Sequence, residues 1–498
     1  MYYVLRISMY YVLGEIMSKL VNKLIENSKS NMYPFHMPGH KRNLKNLKLF
    51  HKIDFPYAID ITEIKGFDDM HHPEEILKEF VEGIANLYGC KKSFMLVNGS
   101  TGGILSAITS VTEIGDEILI SRNCHKSIYN SVILRNLKPS YVYPQYNSKT
   151  GICTAILPND VEKQLEINRN IKAVVIVSPT YEGVVSNIKE IARICHKYNV
   201  PLIVDEAHGA HFLYGDSFPK SAVQCGADIV IQSLHKTLPA LTQTGLLHVQ
   251  GNLVDIEKVQ ENLALYQTSS PSYVFMSSIE LCIEFLTSKE GNEYMGRYEV
   301  QLQSIRQKIK RLNNIWLLDK DETMFDYDCS KLVFGIKNQY GKGTYIGEYL
   351  REQHQIEVEM CSYNYGIAMT SLMDSESGFL RLYDGLKQLN DRLEQCHNKE
   401  YNETDELLGI TSLKQVYTPY ECKRWKKKRV SINNCEGKIS GEMAYIYPPG
   451  IPFIVYGEKL TKEVIDCVKK YKQAGFHIHG LKDDTANFID IVEENENM

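Results

Sequence analysis

The sequence predicts an α/β protein: a large domain on a mostly parallel sheet, a smaller α/β domain and a C-terminal α+β domain. Three observations predict this. Short apolar runs alternate with amphipathic stretches between about residues 84 and 250. Residues 296 to about 395 are more polar and helix-rich. A polar segment, Asn398 to Glu406, then sets off the last hundred residues. Runs that are apolar along their whole length belong to strands covered on both faces, which is the habit of parallel sheets. A chain of 498 residues is also too long for one core, so two or three domains are expected.

Taken in order, residues 1–70 form an N-terminal arm. It opens on a repeat, Met1-Tyr2-Tyr3-Val4-Leu5 and Met9-Tyr10-Tyr11-Val12-Leu13, which is short, interrupted by Glu15 and followed by no small-residue cleavage site. An amphipathic anchor is one reading. The favoured one is translation beginning at Met17 or nearby, with residues 1–16 not translated. Residues 71–295 form the large domain. Phe94 to Val97, Ile118 to Ile120, Ala173 to Val177, Leu202 to Val204 and Ile229 to Ile231 read as buried strands, while Ile188, Ile191, Ala192, Cys195 and Tyr198 fall on one helical face. Residues 296–397 form the smaller domain. Residues 407–498 form the last, with the rigid turn Tyr447-Pro448-Pro449-Gly450-Ile451-Pro452.

Composition narrows the function classes. Hydrophobic residues make up 43 % and charged residues 23 %, ordinary soluble usage. A net charge of −5 gives no case for nucleic acid or an anionic membrane as the main partner. The basic run Lys423 to Arg429, with Trp425 inside it, lacks a wider basic footprint and reads as a solvated helix or loop face. The twelve cysteines show no metal-like spacing, which suggests reduced thiols and a cytoplasmic setting. No metal site is expected.

In open α/β sheets ligands bind at the carboxyl ends of strands, and the informative residues sit there. Asn98-Gly99-Ser100-Thr101-Gly102-Gly103 joins a strand to a helical pattern. Small residues and a helix N-terminus make a phosphate cradle, with two hydroxyls to add hydrogen bonds; tight packing of a glycine turn on the sheet is the alternative. Asp205 ends a strand, as a helix cap or a ligand contact. Lys236, in Ser233-Leu234-His235-Lys236-Thr237, follows the next strand. Cradle, aspartate and strand-end lysine in that order suit pyridoxal phosphate (PLP): the cradle takes the phosphate, an ionised aspartate keeps the ring nitrogen protonated, and the lysine amine forms an imine with the aldehyde.

The sequence further resembles the fold-type-I, aspartate-aminotransferase-like Orn/Lys/Arg decarboxylase family in its short form, from about Tyr33 to the C-terminus. The resemblance rests on Phe35-His36-Met37-Pro38-Gly39-His40-Lys41, Asp60-Ile61-Thr62-Glu63, Arg122-Asn123-Cys124-His125-Lys126-Ser127, Ser233-Leu234-His235-Lys236 and the Pro448-Pro449 turn. It implies phosphate contacts from Ser100, Thr101, Gly102, Ser233 and His235, a ring-stacking imidazole at His125, and Thr180 near the ring edge. Ala207 and His208 follow Asp205 as further cofactor contacts, though His208 either borders the substrate or packs. Thr268 to Ser272 resembles a loop reaching a neighbouring subunit's phosphate, implying a homodimer or higher homo-oligomer with shared sites. The implied reaction is decarboxylation of a basic amino acid, with arginine favoured over lysine or ornithine and polyamine biosynthesis as its setting. His235 or Lys236 returns the proton. Glu442 and Asp69, with Asp68 beside it, are candidates for the substrate's distal cation. His36, His40, His71, His72 and His211 read as satisfied loop or packing histidines rather than catalytic ones. An aminotransferase would need an arginine for the α-carboxylate, and the tempting Arg381 lies in a surface pattern. An idle PLP-binding scaffold is the remaining alternative.

Overall fold

The computed structural model describes residues 19–30, 37–38, 41, 55–337, 339, 342–395 and 412–493. The N-terminal repeat, His36, His40 and the 398–406 linker lie outside them. Strands β1 (Lys92–Leu96), β2 (Glu117–Ser121), β3 (Lys138–Val142), β4 (Ile171–Val177), β5 (Leu202–Asp205), β6 (Ile229–Ser233) and β7 (Gly245–Val249) occur with helices α1 (Lys19–Lys29), α2 (Ile76–Tyr88), α3 (Gly99–Val111), α4 (Lys126–Leu134) and α5 (Ile188–Lys197). The chain forms two compact units. One comprises Met1–Ser110, Asp205–Asp216 and Lys220–Arg297; the other comprises Val111–Val204, Ser217–Pro219 and Tyr298–Met498.

In the first unit β7 pairs antiparallel with both β1 and β6, with Leu96 opposite Gly245 and Gly245 opposite Ser233. These pairings align the ends of β1 and β6, and so the loops that follow them. The Gly-Leu-Leu-His-Val run of β7 is buried throughout, but it is too short for its sequence to reveal a strand running against its neighbours. Helix α3 leaves β1 through Gly99, whose φ of +65° is a left-handed conformation that favours glycine. Gly103 lets the helix approach the sheet: a Cβ there would lie 2.7 Å from Leu96 Cδ1 and 3.1 Å from Ile231 Cγ2. In the same unit Glu280 is buried and accepts the Leu20 and Val21 N–H groups, capping the start of α1.

In the second unit β2 pairs parallel with β3 and with β4. Strand β4 is apolar on both faces, as expected for a covered parallel strand. By contrast β3, Lys-Pro-Ser-Tyr-Val, is only partly buried, which hid it from a search for apolar runs. Helix α5 buries Ile188, Ile191, Ala192, Ile194 and Cys195, and its first turn is capped by the Asn187 side chain accepting the Glu190 N–H.

Residues 315–369 depart from the helix-rich expectation. They contain a four-stranded antiparallel sheet of order Ile315–Leu317, Lys331–Ile336, Gly366–Met369, Met360–Cys361. The expected helices are there too, at Gly343–His354 and Glu376–Gln395. The last ninety residues pair Lys427–Ser431 with Phe488–Val492, and join Ala444–Ile446 to Ile451–Ile454 and Ile478–His479. The basic run is therefore a helical turn followed by a strand, with Arg429 bonded to Asp490 at 3.0 Å. No disulfide joins the described cysteines. No helix among the described residues is long and apolar enough to cross a membrane, and none of their His, Cys, Asp and Glu side chains group to hold a metal ion.

Candidate active site

The first unit gathers most of the predicted site at the ends of β1, β5 and β6. Ser100, in the first turn of α3, places its hydroxyl 2.5 Å from that of Ser233 at the end of β6. Thr101 is exposed at the same turn, and Gly102 is buried beside Asn98. In this turn the Gly99 N–H goes to the Gln243 carbonyl at 2.9 Å and the Gly102 N–H to the Asn98 carbonyl at 3.4 Å, so the Ser100 and Thr101 N–H groups with the paired hydroxyls form the anion-binding set.

Asp205 is 4 % exposed and accepts the Ala207 N–H at 3.2 Å. Burial raises its carboxyl above the usual range, against the pull of the Lys236 charge and the Ala207 bond. A buried carboxylate so perturbed gains from a cationic partner. Lys236 is itself exposed, on the helical turn Leu234–Thr237. Its Nζ lies 3.0 Å from His208 Nε2. His208 is buried, so its bond to the lysine amine is more than packing. Burial, helped by the Lys236 charge, holds the His235 imidazole below its usual value, despite the Thr244 carbonyl. That carbonyl lies 2.9 Å from His235 Nδ1 and can only accept, so Nδ1 carries the hydrogen.

Asp69 lies half-buried with one oxygen accepting the His71 N–H at 2.8 Å. Asp68 is fully engaged: its carboxylate accepts the N–H groups of Glu74, Glu75, Leu77 and Asp69, and although partial burial works the other way, these bonds hold its pKa low. It is a local cap rather than a substrate contact. His71 holds the Thr268–Ser272 loop through a 2.8 Å contact of Nε2 with the Thr268 carbonyl.

His125, Thr180 and Glu442 belong to the second unit. His125 caps α4, its Nδ1 accepting the Ser127 N–H at 3.2 Å. Its ring rests against the proline turn: a Cβ on Gly450 would come within 3.3 Å of His125 Nε2, and the Lys126 N–H donates to the Gly450 carbonyl at 3.1 Å. Thr180 is buried and closes a tight turn, its hydroxyl accepting the Val184 N–H.

Glu442 corrects an expectation. It is 3 % exposed, and its two oxygens accept the backbone N–H groups of Lys482 and Asp490, both at 2.8 Å. A carboxylate buried and spent on backbone donors binds the C-terminal segment together and is not presented to a substrate.

Sequence reasoning missed the arginine that holds the proline turn. Arg122 and Glu458 are completely buried. Nε and Nη2 of Arg122 donate to the two Glu458 oxygens at 3.2 and 3.1 Å, and Nη1 donates to the Pro452 carbonyl at 2.5 Å. This forked pair ties the segment leading to His125 to the segment that packs on it. Its sequence signal was an arginine directly after an apolar strand.

Comparison with known proteins agrees with this geometry. Residues 18–333 match the family model for the Orn/Lys/Arg decarboxylase major domain, and residues 407–495 match the model for its C-terminal domain. The chain is 30 % identical to an arginine decarboxylase of Bacillus anthracis, over 97 % of this chain and 99 % of the relative. It is 31 % identical to one of Halalkalibacterium halodurans, over 96 % and 98 %. The fold matches that of the Francisella novicida lysine decarboxylase with a TM-score of 0.82 at 20 % identity, over 96 % of this chain and 82 % of that one. With both domain models matched and a strand-end lysine beside a buried aspartate, this chain belongs to the Orn/Lys/Arg decarboxylase family.

Proposed function

We propose that the chain is a PLP-dependent decarboxylase of a basic amino acid, with arginine the favoured substrate. The observation that carries this reading is the convergence, within one compact unit, of the Lys236 amine, the buried Asp205 carboxylate and the Ser100–Ser233 hydroxyl pair. This donor set fits the cofactor. The first turn of α3 with Ser100 and Ser233 would hold the phosphate, Asp205 the ring-nitrogen proton and Lys236 the aldehyde carbon. When bound, PLP supplies an electron-withdrawing ring for the bond broken at the substrate Cα.

The chain's own groups manage the protons. His208 Nε2 is placed to accept a proton from Lys236 Nζ, leaving the amine its lone pair for attack. Above its lowered pKa, His235 is neutral with its one hydrogen on Nδ1 and aimed at Thr244. That leaves Lys236 the better donor of the proton that replaces CO2. Of the acids considered for the distal cation, Asp69 keeps an oxygen without a backbone donor among the described residues and is preferred over Glu442. The preference for arginine draws on the names of the relatives. The same resemblance supports agmatine production for polyamine synthesis, a cytoplasmic setting, and a homodimer in which Thr268–Ser272 serves the neighbouring subunit.

The test supplies PLP and, in turn, arginine, lysine and ornithine to purified protein. CO2 release with agmatine formation, fastest for arginine, is expected. Keto-acid formation, or no reaction with any of the three, would overturn the reading.

A further inference from the structure

Behind the strand ends that carry Asp205 and Ser233 runs a buried polar chain that the proposed reaction does not use. Glu206 is 1 % exposed. Its Oε1 accepts the Ala222 N–H at 2.6 Å, and its Oε2 accepts the Ser221 hydroxyl at 2.7 Å and Gln232 Nε2 at 2.6 Å. The Glu206 N–H itself donates to the Ile231 carbonyl at 2.9 Å. Gln232 precedes Ser233 in β6, and adjacent side chains of a strand point to opposite faces. Glu206 and Gln232 thus join on the face away from Ser233.

The proton directions are fixed outward from Glu206. Gln232 spends its amide hydrogen on the carboxylate, so its Oε1 is the acceptor for His248 Nε2 at 3.3 Å. His248 Nδ1 must then accept from the Ser93 hydroxyl, 2.9 Å away. Burial pushes His248 down to about 3, so it stays neutral and suits this one-way relay. The Tyr88 ring stacks on it at 4.1 Å. A chain with all its hydrogens committed resists rearrangement.

We propose that Glu206 is a positioning residue: by clamping Gln232, Ser221 and Ala222 it fixes the spacing between Asp205 and the Ser233–Lys236 turn. The inference rests on the reading of Asp205 and Lys236 as contacts of one rigid cofactor. A ring held at both ends needs that spacing, and a misplacement of about 1 Å can cost roughly a hundred-fold in rate.

The test compares Glu206→Gln with Glu206→Gln/Gln232→Glu. The single change sets one amide against another and offers one oxygen to three donors. The double change restores a carboxylate–amide pair with its direction reversed, and the carboxylate can still accept the His248 Nε2 hydrogen. Three readouts are taken: PLP affinity from its visible band, kcat and KM, and deuterium uptake of peptides covering residues 203–210 and 229–238. Glu206→Gln should lower kcat about ten-fold or more with KM little changed, weaken PLP binding by about ten-fold, and raise uptake in both segments together. The double variant should recover most of kcat. Wild-type kcat and PLP affinity in Glu206→Gln would overturn the proposal, as would a folded double variant no better than the single. Deuterium uptake needs no cofactor. If the wild-type protein bound no PLP, the proposed function would fail, while unchanged uptake in both segments would refute the positioning role on its own. If the double variant does not fold, uptake in Glu206→Gln decides.

Discussion

Removing both partners of the Arg122–Glu458 pair should cost less than the two single removals added together. Both side chains are completely shielded from solvent. The carboxylate receives two guanidinium bonds and the Val455 N–H at 2.7 Å. Arginine stays charged at any pH the fold survives, so Glu458→Leu leaves a buried cation without its counter-ion, at a cost of about 3–5 kcal/mol. Arg122→Met strands the carboxylate in the same way. In Arg122→Met/Glu458→Leu no charge is buried. What remains is the loss of partners for the Pro452 carbonyl, the Val455 N–H and the Tyr129 hydroxyl oxygen, about 1–3 kcal/mol for a group left without any partner. Three thermal melts followed by tryptophan fluorescence, with the wild-type protein, complete a double-mutant cycle. Trp425 packs edge-on against Tyr417 with ring centroids 4.8 Å apart and reports on the C-terminal segment. The coupling should be at least about 2 kcal/mol, with the double variant melting above the worse single variant. Additive losses, or a Glu458→Leu protein within about 0.5 kcal/mol of wild type, would refute the reasoning.

Three further outcomes follow from the site. Asp205→Asn should keep bound PLP but lose most decarboxylase activity, because an amide cannot hold the ring-nitrogen proton; near-wild-type turnover would disprove the assignment. Glu442→Gln should lower the melting temperature and leave KM for arginine unchanged, whereas Asp69→Asn should raise that KM with little change in kcat; steady-state kinetics on the two variants separates them. Burial pushes the Glu206 carboxyl from 4.5 up to about 7, against its bonds from Ala222, Gln232 and Ser221. The folded state therefore binds this proton more tightly than the unfolded state. Its contribution, about 3 kcal/mol, is fully present below pH 4.5 and is lost as pH rises through 7. Denaturant melts at pH 4.5 and 7 should show this loss in the wild-type protein and not in Glu206→Gln.

The sequence alone determined the strand–helix alternation, the turn of small residues Asn98 to Gly103 before a helix, and the strand-end positions of Asp205 and Lys236, because these follow from local periodicity and turn chemistry. The buried runs at Ile229 to Ile231 and Ala173 to Val177 needed no partner to be recognised. It did not reveal β3, whose Lys138 and Pro139 break the apolar signal, or the antiparallel course of β7, since a short apolar run carries no direction. Only tertiary structure decided what each buried polar group meets. Glu442 and Asp69 looked equivalent as acids near turns, yet one is consumed by backbone donors of residues 482 and 490 and the other is half open. Arg122 finds its carboxylate 336 residues away, and Glu206 finds Gln232 across a strand end. A helix or strand period is written within a few residues. A buried charge, by contrast, takes whichever partner the folded chain brings within hydrogen-bond reach, and no local pattern records that choice.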